Sequence, residues 1–330
     1  YTLPKDFYME LLVADEAQYV KNPQAKRTIK LREMALQANR TLYMSGTPLE
    51  NRVDEMCELV NALQPVIASQ LEGRKYMAAA PQFKELLAPV YLRRKRDDVL
   101  DDLPGIIYMD EWCELTPLER ANYLMHVETG SFNQMRRVSW DTPSSTKAER
   151  LLELVENAEE EGRKVLVFSF FLDTMEKISH ILKDRCIGMI SGSVPLQKRQ
   201  EIIDTFGNAK PGSVLVMQSV SGGTGINLQM ASMIIFAEPQ IKPSIEHQAV
   251  SRAYRMGQTQ SVSVHRLLAA DTIDEAMCEM LQRKQEIFDA FADDSVIAEA
   301  ENETLSQNEW IHNLIQKEKE KNHIPIVPAN

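Results

Sequence analysis

Apolar residues in this chain fall into short runs separated by amphipathic stretches. A run from Phe7 to Ala14 ends abruptly in Asp15-Glu16-Ala17-Gln18. A helical segment, about 24–38, follows Asn22-Pro23 and leads into a second strand-like run, Thr41 to Met44, which ends in Ser45-Gly46-Thr47-Pro48. Helical stretches are expected at about 52–63 and 73–87. From Lys147 a helix should carry Leu151, Leu152, Leu154 and Val155 inward and stop at Gly162. Strand and helix then alternate: strand Lys164 to Ser169, helix 172–183, strand Cys186 to Ile190, helix Pro195 to Phe206, strand Ser213 to Met217. Two further strands, Met233 to Ala237 and Ser261 to Leu268, complete the series, the last closing the sheet. Such alternation predicts an α/β fold whose parallel sheets are covered on both faces.

Between the two stretches of alternation the signals change. Leu103-Pro104-Gly105 breaks the pattern, and Thr116-Pro117-Leu118-Glu119 is a capping box with proline at the first helical position. The helix it starts should run, broken near Gly130, toward Trp140, and the polar Asp141 to Thr146 reads as a linker. The organisation expected is a partial first lobe over 1–105, a helical connection and linker over 106–146, a second lobe over 147–270 and a helical C-terminal extension over 271–330. The first strand begins almost at once and without an initiator Met, which reads as the start of a fragment.

Composition bounds this picture without changing it. With 330 residues, 44% of them hydrophobic and 26% charged, the chain can bury cores for two domains. Its apolar runs are strand-sized, far short of the roughly 20 residues that span a bilayer. The four cysteines are far apart with no metal-type spacing, which fits a reduced, cytoplasmic setting. A net charge of -11 argues against a nonspecific coat on nucleic acid. Basic residues nonetheless cluster at Arg93-Arg94-Lys95-Arg96 and in the set Lys21, Lys26, Arg27, Lys30 and Arg32, so a local basic groove fits an acidic protein.

Candidate chemistry lies at the ends of the strands. Asp15 and Glu16 follow an apolar run, where parallel sheets gather ligands; Asp15 either caps the next helix or offers a carboxylate to a nucleotide-bound Mg²⁺. Three of the chain's 13 glycines, Gly222, Gly223 and Gly225, fall in one loop, either a tight turn or a close backbone approach to a ligand. Arg252 and Arg255 sit three apart in Gln248 to Gln258. On a helix they would share one face, as a solvated pair or as a phosphate clamp, with Gly257-Gln258 as the stop.

In this order the segments resemble the motifs of superfamily-two helicases, and Gln248 to Gln258 resembles in particular the Snf-type (Swi/Snf-related) DNA-dependent ATPases. The resemblance runs along nearly the whole chain and implies tandem RecA-like lobes, the first incomplete, with helical insertions and a helical tail. It implies that Asp15 and Glu16 occupy the family's DEAD/DEAH-type box, Asp15 holding Mg²⁺ and Glu16 orienting water, with Gln18 linking nucleotide to the other lobe. Ser45, Gly46 and Thr47 match the motif that couples hydrolysis to DNA grip. Ser191 and Gly192 fall where the family touches the DNA backbone, and free amides before a helix suit a phosphate. The loop with Gly222, Gly223, Thr224 and Gly225 is placed against both DNA and nucleotide. Arg252 and Arg255 match the arginine fingers, and Gln248 begins the same motif.

Two departures stand out. Ile241-Lys242-Pro243 replaces a common Trp-Asn-Pro, and no Walker A loop is present. The nearest approach, Gly207 to Gly212 before Ser213, lacks the Lys and precedes a strand. The reading is therefore a fragment of an ATP-dependent translocase on double-stranded DNA that remodels or displaces a DNA-bound protein, the fragment being inactive by itself. The alternatives are a catalytically dead DNA- or protein-binding remnant and a strand-separating helicase.

Overall fold

The computed structural model describes residues 4, 7–20, 22–45, 53–72, 81–92, 104–142, 145–219, 226–292 and 307–324. The chain divides into two compact units, one of Tyr1–Lys95 with Arg283–Thr304, the other of Arg96–Gln282 with Leu305–Asn330.

In the first unit, β1 (Met9–Ala14) and β2 (Ala38–Tyr43) pair in parallel, from Met9 against Ala38 to Ala14 against Tyr43, with α1 (Lys26–Ala35) as the crossover. The helix is shorter and the second strand starts earlier than their apolar spacing suggests. Cover on both faces, expected of the parallel sheets, is not met at β1. Only Leu12 is buried, while Leu11 and Val13 are 52% and 46% exposed. β1 has one neighbour among the described residues, and two strands cannot enclose both faces of a sheet. The helices α2 (Val53–Leu63), α3 (Pro65–Glu72) and α4 (Pro81–Leu87) build a separate core from Met56, Val60, Leu71, Phe83 and Leu87. Of the helix expected over 73–87, the last turns are α4; residues 73–80 lie outside the described residues, as does Arg93 to Arg96.

The second unit carries a six-stranded, all-parallel sheet in the order β3-β8-β7-β4-β6-β5. Its strands are β3 (Ile106–Cys113), β4 (Val165–Ser169), β5 (Cys186–Ile190), β6 (Val214–Gln218), β7 (Met233–Phe236) and β8 (Val262–Ala269). The stretch expected to be a helical connection from 106 opens instead as β3, paired with β8 from Ile106 against Val262 to Cys113 against Ala269. β8 is thus internal rather than the closing strand. Asp110 and Glu111 hide β3 in the hydropathy pattern, yet both are anchored. Asp110 meets Arg266 at 2.7 Å, and Glu111 meets His265 at 2.7 Å and Arg150 at 2.9 Å.

The central strands are apolar throughout because both of their faces are covered. Leu166, Phe168, Leu215, Met217, Ile234 and Phe236 face one core, which includes Ile203 and Phe206 of α9 (Leu196–Gly207) and Ala249 and Val250 of α10 (Pro243–Val250). Val165, Val167, Val214, Val216, Met233 and Ile235 face the other, under α7 (Thr146–Glu160) and α8 (Leu172–Leu182). The capping box at Thr116 and Glu119 starts α5 (Pro117–Thr129), and Gly130, at φ 68°, ends it. α6 (Phe132–Arg137) and a 3-10 turn through Trp140 follow. Tyr123, Val127 and Phe132 join Ile273 and Met277 of α11 (Ile273–Ala292) and Leu314 of α12 (Gln307–Lys321) in a third cluster.

Candidate functional site

In the first unit the chain turns sharply at the carboxyl end of β1. Asp15 is exposed, and one of its carboxylate oxygens accepts the Glu16 N–H at 2.8 Å. Glu16 adopts φ 53°, left-handed backbone that costs an L residue of order 1–3 kcal/mol. The Ala17 N–H then donates to the Met44 carbonyl at 2.9 Å, and the Met44 N–H to the Ala14 carbonyl at 2.8 Å. Ser45, next to Met44, is therefore held at the same end of the sheet as Asp15 and Glu16. The backbone of Gln18 lies in a 3-10 turn, Ala17–Val20. Its side chain, and all of Gly46 and Thr47, lie outside the described residues. A single exposed carboxylate suits Mg²⁺, which keeps its waters and takes one or two carboxylates beside substrate phosphates. Among the described residues no group of three or more His, Cys, Asp or Glu stands ready to hold an ion alone. The basic set on α1 is partly engaged: Lys30 meets Glu33 at 2.9 Å and Arg32 meets Glu58 at 3.8 Å.

In the second unit Ser191 and Gly192 turn at the carboxyl end of β5. The Gly192 amide is engaged: its N–H donates to Gln218 Oε1 at 3.1 Å, across from the end of β6. Arg199 braces the turn from α9, its guanidinium donating to the carbonyls of Ser191 (3.1 Å) and Gly192 (3.0 Å). The loop after β6 with Gly222, Gly223, Thr224 and Gly225 lies outside the described residues.

The arginine pair does not share a helical face. α10 stops at Val250, and Arg252 and Arg255 lie in the turns beyond it. The reason is tertiary: the Arg252 carbonyl, which a continuing helix would use internally, accepts the Leu228 N–H at 2.9 Å. Gly257, at φ 94°, cannot continue a right-handed helix. Gln248 lies in the last turn of α10, where its carbonyl accepts the Ser251 hydroxyl at 3.0 Å. Arg255 is exposed and Arg252 half-buried. Gln258 is a buried lock rather than a helix stop, its Nε2 donating to the carbonyls of Gln229 (3.0 Å), Ala231 (2.9 Å) and Ala253 (3.2 Å). The arginine segment is thereby stitched to the chain just downstream of the glycine-rich loop.

Sequence reasoning missed two buried charges in the second unit, Glu238 and Arg136. Glu238 follows β7 as Asp15 follows β1, a carboxylate at the end of an apolar run, and that shared signature could have found it. It is fully buried, and accepts the Phe170 N–H at 2.6 Å and the Ser169 hydroxyl at 3.1 Å. Burial raises its carboxyl, and the charge of Arg136 opposes the shift. Arg136, 1% exposed, donates to the Pro239 carbonyl at 2.8 Å and lies over Phe171 at 5.0 Å.

Taken alone, the larger unit defines a class: a parallel α/β lobe that presents polar turns at its carboxyl ends, where such sheets take ligands. The profile of the SNF2-related domain matches residues 2–163, and that of the Helicase conserved C-terminal domain matches 146–257. The chain belongs to the SNF2-related family of superfamily-two ATPases and helicases. It is 29% identical over 309 residues to an uncharacterized ATP-dependent helicase of Mycoplasma pneumoniae, covering 84% of this chain and 30% of that protein. Against the putative ATP-dependent helicase/translocase YwqA of Bacillus subtilis the identity is 26% over 355 residues, covering 93% and 37%. The SWI2/SNF2 ATPase core domain of Sulfolobus solfataricus superposes with a TM-score of 0.53 at 25% identity, covering 96% of this chain and 71% of that one. The chain thus spans about a third of the length of these curated relatives. Among the described residues no helix is long and apolar enough to cross a membrane.

Proposed function

We propose that this chain carries the water-activating and charge-neutralising parts of an ATP-driven translocase on double-stranded DNA, with ATP hydrolysed between the two lobes. What supports this reading is the family together with one local feature: a strained Asp15-Glu16 turn at the carboxyl end of a parallel strand, beside Ser45. In this reading Asp15 holds Mg²⁺, which supplies charge neutralisation at the phosphate oxygens. Glu16 orients the attacking water, and Gln18 and Gln248 contact the nucleotide or couple it to DNA. Arg252 and Arg255 neutralise charge developing on the γ-phosphoryl group. Gly223 and Gly225 approach the nucleotide, while Ser45, Gly46, Thr47, Ser191, Gly192, Gly222 and Thr224 grip the DNA backbone, which carries no sequence information. The lobes are taken as 1–105 and 147–270, with β3 of the intervening 106–146 added to the sheet of the second lobe and 271–330 as the extension. A DNA-bound protein is the target displaced.

The test is ATP turnover by the full-length protein with and without duplex DNA. Arg255→Ala should lower DNA-stimulated kcat by about a thousandfold or more. The melting temperature should hold, because Arg255 is exposed. The 330-residue chain by itself should show little turnover, since its sequence contains no Walker A lysine or loop to hold the β- and γ-phosphates. Unchanged turnover in Arg255→Ala would sink the reading, and unwinding of duplex DNA would replace translocation with strand separation.

A further inference from the structure

The four residues after β7, Ala237 to Gln240, form a hub that ties four other parts of the second unit together. The Trp140 Nε1–H donates to the Ala237 carbonyl at 3.1 Å. The Glu238 carboxylate draws in the end of β4 through the Phe170 N–H and the Ser169 hydroxyl. The Pro239 carbonyl accepts from Arg136 of α6. The Gln240 N–H donates to Glu246 Oε1 at 3.3 Å, inside α10, while its side-chain amide returns to the Glu238 carbonyl at 3.0 Å. Glu246 in turn faces Arg266 of β8 at 3.9 Å, and Arg266 is held by Asp110 of β3.

Each of these groups is costly to bury unless paired. Glu238, Gln240, Arg136 and Trp140 are all 0–1% exposed, and an unpaired buried carboxylate or guanidinium costs several kcal/mol. The Arg136 Nε and Nη1 atoms are buried without a hydrogen-bond partner. The cation instead has three aromatic rings around it, those of Phe132, Phe170 and Phe171, within 5.0–5.7 Å. β7 ends at Phe236 and α10 begins at Pro243, so the chain passes through this hub on its way from the sheet to α10. After the eight residues of α10 the backbone enters the arginine segment.

We propose that Glu238 and Arg136 are positioning residues for the segment Ser251 to Gln258: through the hub and α10 they fix where Arg252 and Arg255 stand. The inference rests on the reading of those arginines as charge-neutralising groups, and it assigns a role in delivering them to the connection between the lobes, through Arg136 and Trp140. Neither residue touches the reacting atoms. Their effect falls on geometry at the transition state, where small displacements are expensive.

Two variants test this. Glu238→Gln keeps the shape and one acceptor but removes the charge that faces Arg136; Arg136→Lys keeps the charge but loses the fork over Pro239 and the aromatic rings. Hydrogen exchange is measured on the 330-residue chain, and steady-state ATP turnover on the full-length protein. Exchange at Ala253, Tyr254 and Gln258, whose amides are all bonded, should quicken about tenfold, with the Ala269 amide on Asp274 unchanged as a control. In turnover, kcat should fall about tenfold with the KM for ATP unaltered. Unaltered exchange in both variants overturns the inference. So does a uniform rise across the unit, which is loss of stability and nothing more. Faster exchange confined to the segment with kcat unchanged upholds the positioning role and refutes instead the function assigned to the arginines.

Discussion

Lys147 and Asp274 are paired at 3.0 Å with side chains 0% and 1% exposed, joining the first turn of α7 to the first turn of α11. At an effective dielectric of about 20 two unit charges at that separation attract by roughly 5–6 kcal/mol. Desolvating both ions costs a similar amount, so the pair as a whole is close to neutral against an apolar replacement of equal size. Removing one partner is different. In Lys147→Met the Asp274 carboxylate keeps only the Ala269 N–H on Oδ2, while Oδ1 is already buried without a partner. The expected loss is about 3–5 kcal/mol. In the double variant Lys147→Met, Asp274→Leu most of this should return, giving a coupling energy of about 2–3 kcal/mol. The assay is urea denaturation followed by hydrogen exchange at β4 and β6, which reports the second unit by itself. A Lys147→Met variant within about 1 kcal/mol of the parent, or a double variant worse than the single, would refute the argument.

Three further outcomes follow from particular contacts. Burial raises the Glu318 carboxyl despite the hydrogen bond it accepts from Tyr123 at 2.7 Å. A raised carboxyl contributes stability that is complete below its unfolded value and is lost as pH rises through the folded one. The docking of α12 should therefore weaken from acid toward neutral pH, and Glu318→Gln should flatten that slope and raise the neutral-pH melting temperature; a lower one would contradict this. Gln258→Ala takes the side-chain donor from the carbonyls of Gln229, Ala231 and Ala253, of which Ala253 keeps the Arg255 N–H, and should cost about 1–3 kcal/mol, read by thermal melts, with proteolysis first appearing in 251–258. Gly257→Ala should cost about 1–2 kcal/mol, because φ is 94° and the added Cβ would stand 2.9 Å from Gln229 Oε1; a neutral melt would show that the turn relaxes freely.

The order of strands and helices in the second unit was legible because strands buried on both faces must be apolar along most of their length, as 165–168 and 233–236 are. β3 was not legible. Asp110 and Glu111 read as surface residues, and Asp110 is indeed exposed and Glu111 half-buried; their partners Arg266, His265 and Arg150, which hold them in a strand, lie far away in sequence. The early end of α10 was invisible for a related reason. The i,i+3 spacing of Arg252 and Arg255 is helical, but the Leu228 N–H claims the Arg252 carbonyl from 24 positions away. Local pattern carries no trace of such a claim. The turn at Asp15 was placed correctly at a strand end, whereas the exposure of Leu11 and Val13 depends on how many strands adjoin β1.

The pairing of β3 with β8 bears on how the larger unit can be handled. The polar stretch at 141–146 looks like a natural place to cut, yet a recombinant piece beginning there would shed the outermost strand and leave eight residues of β8 with bare backbone groups. The Val262 N–H also bonds to the Gly105 carbonyl, so the ligature extends one residue further upstream. Expression boundaries drawn before residue 104 should give a well-behaved product, and those drawn at 147 a sticky one.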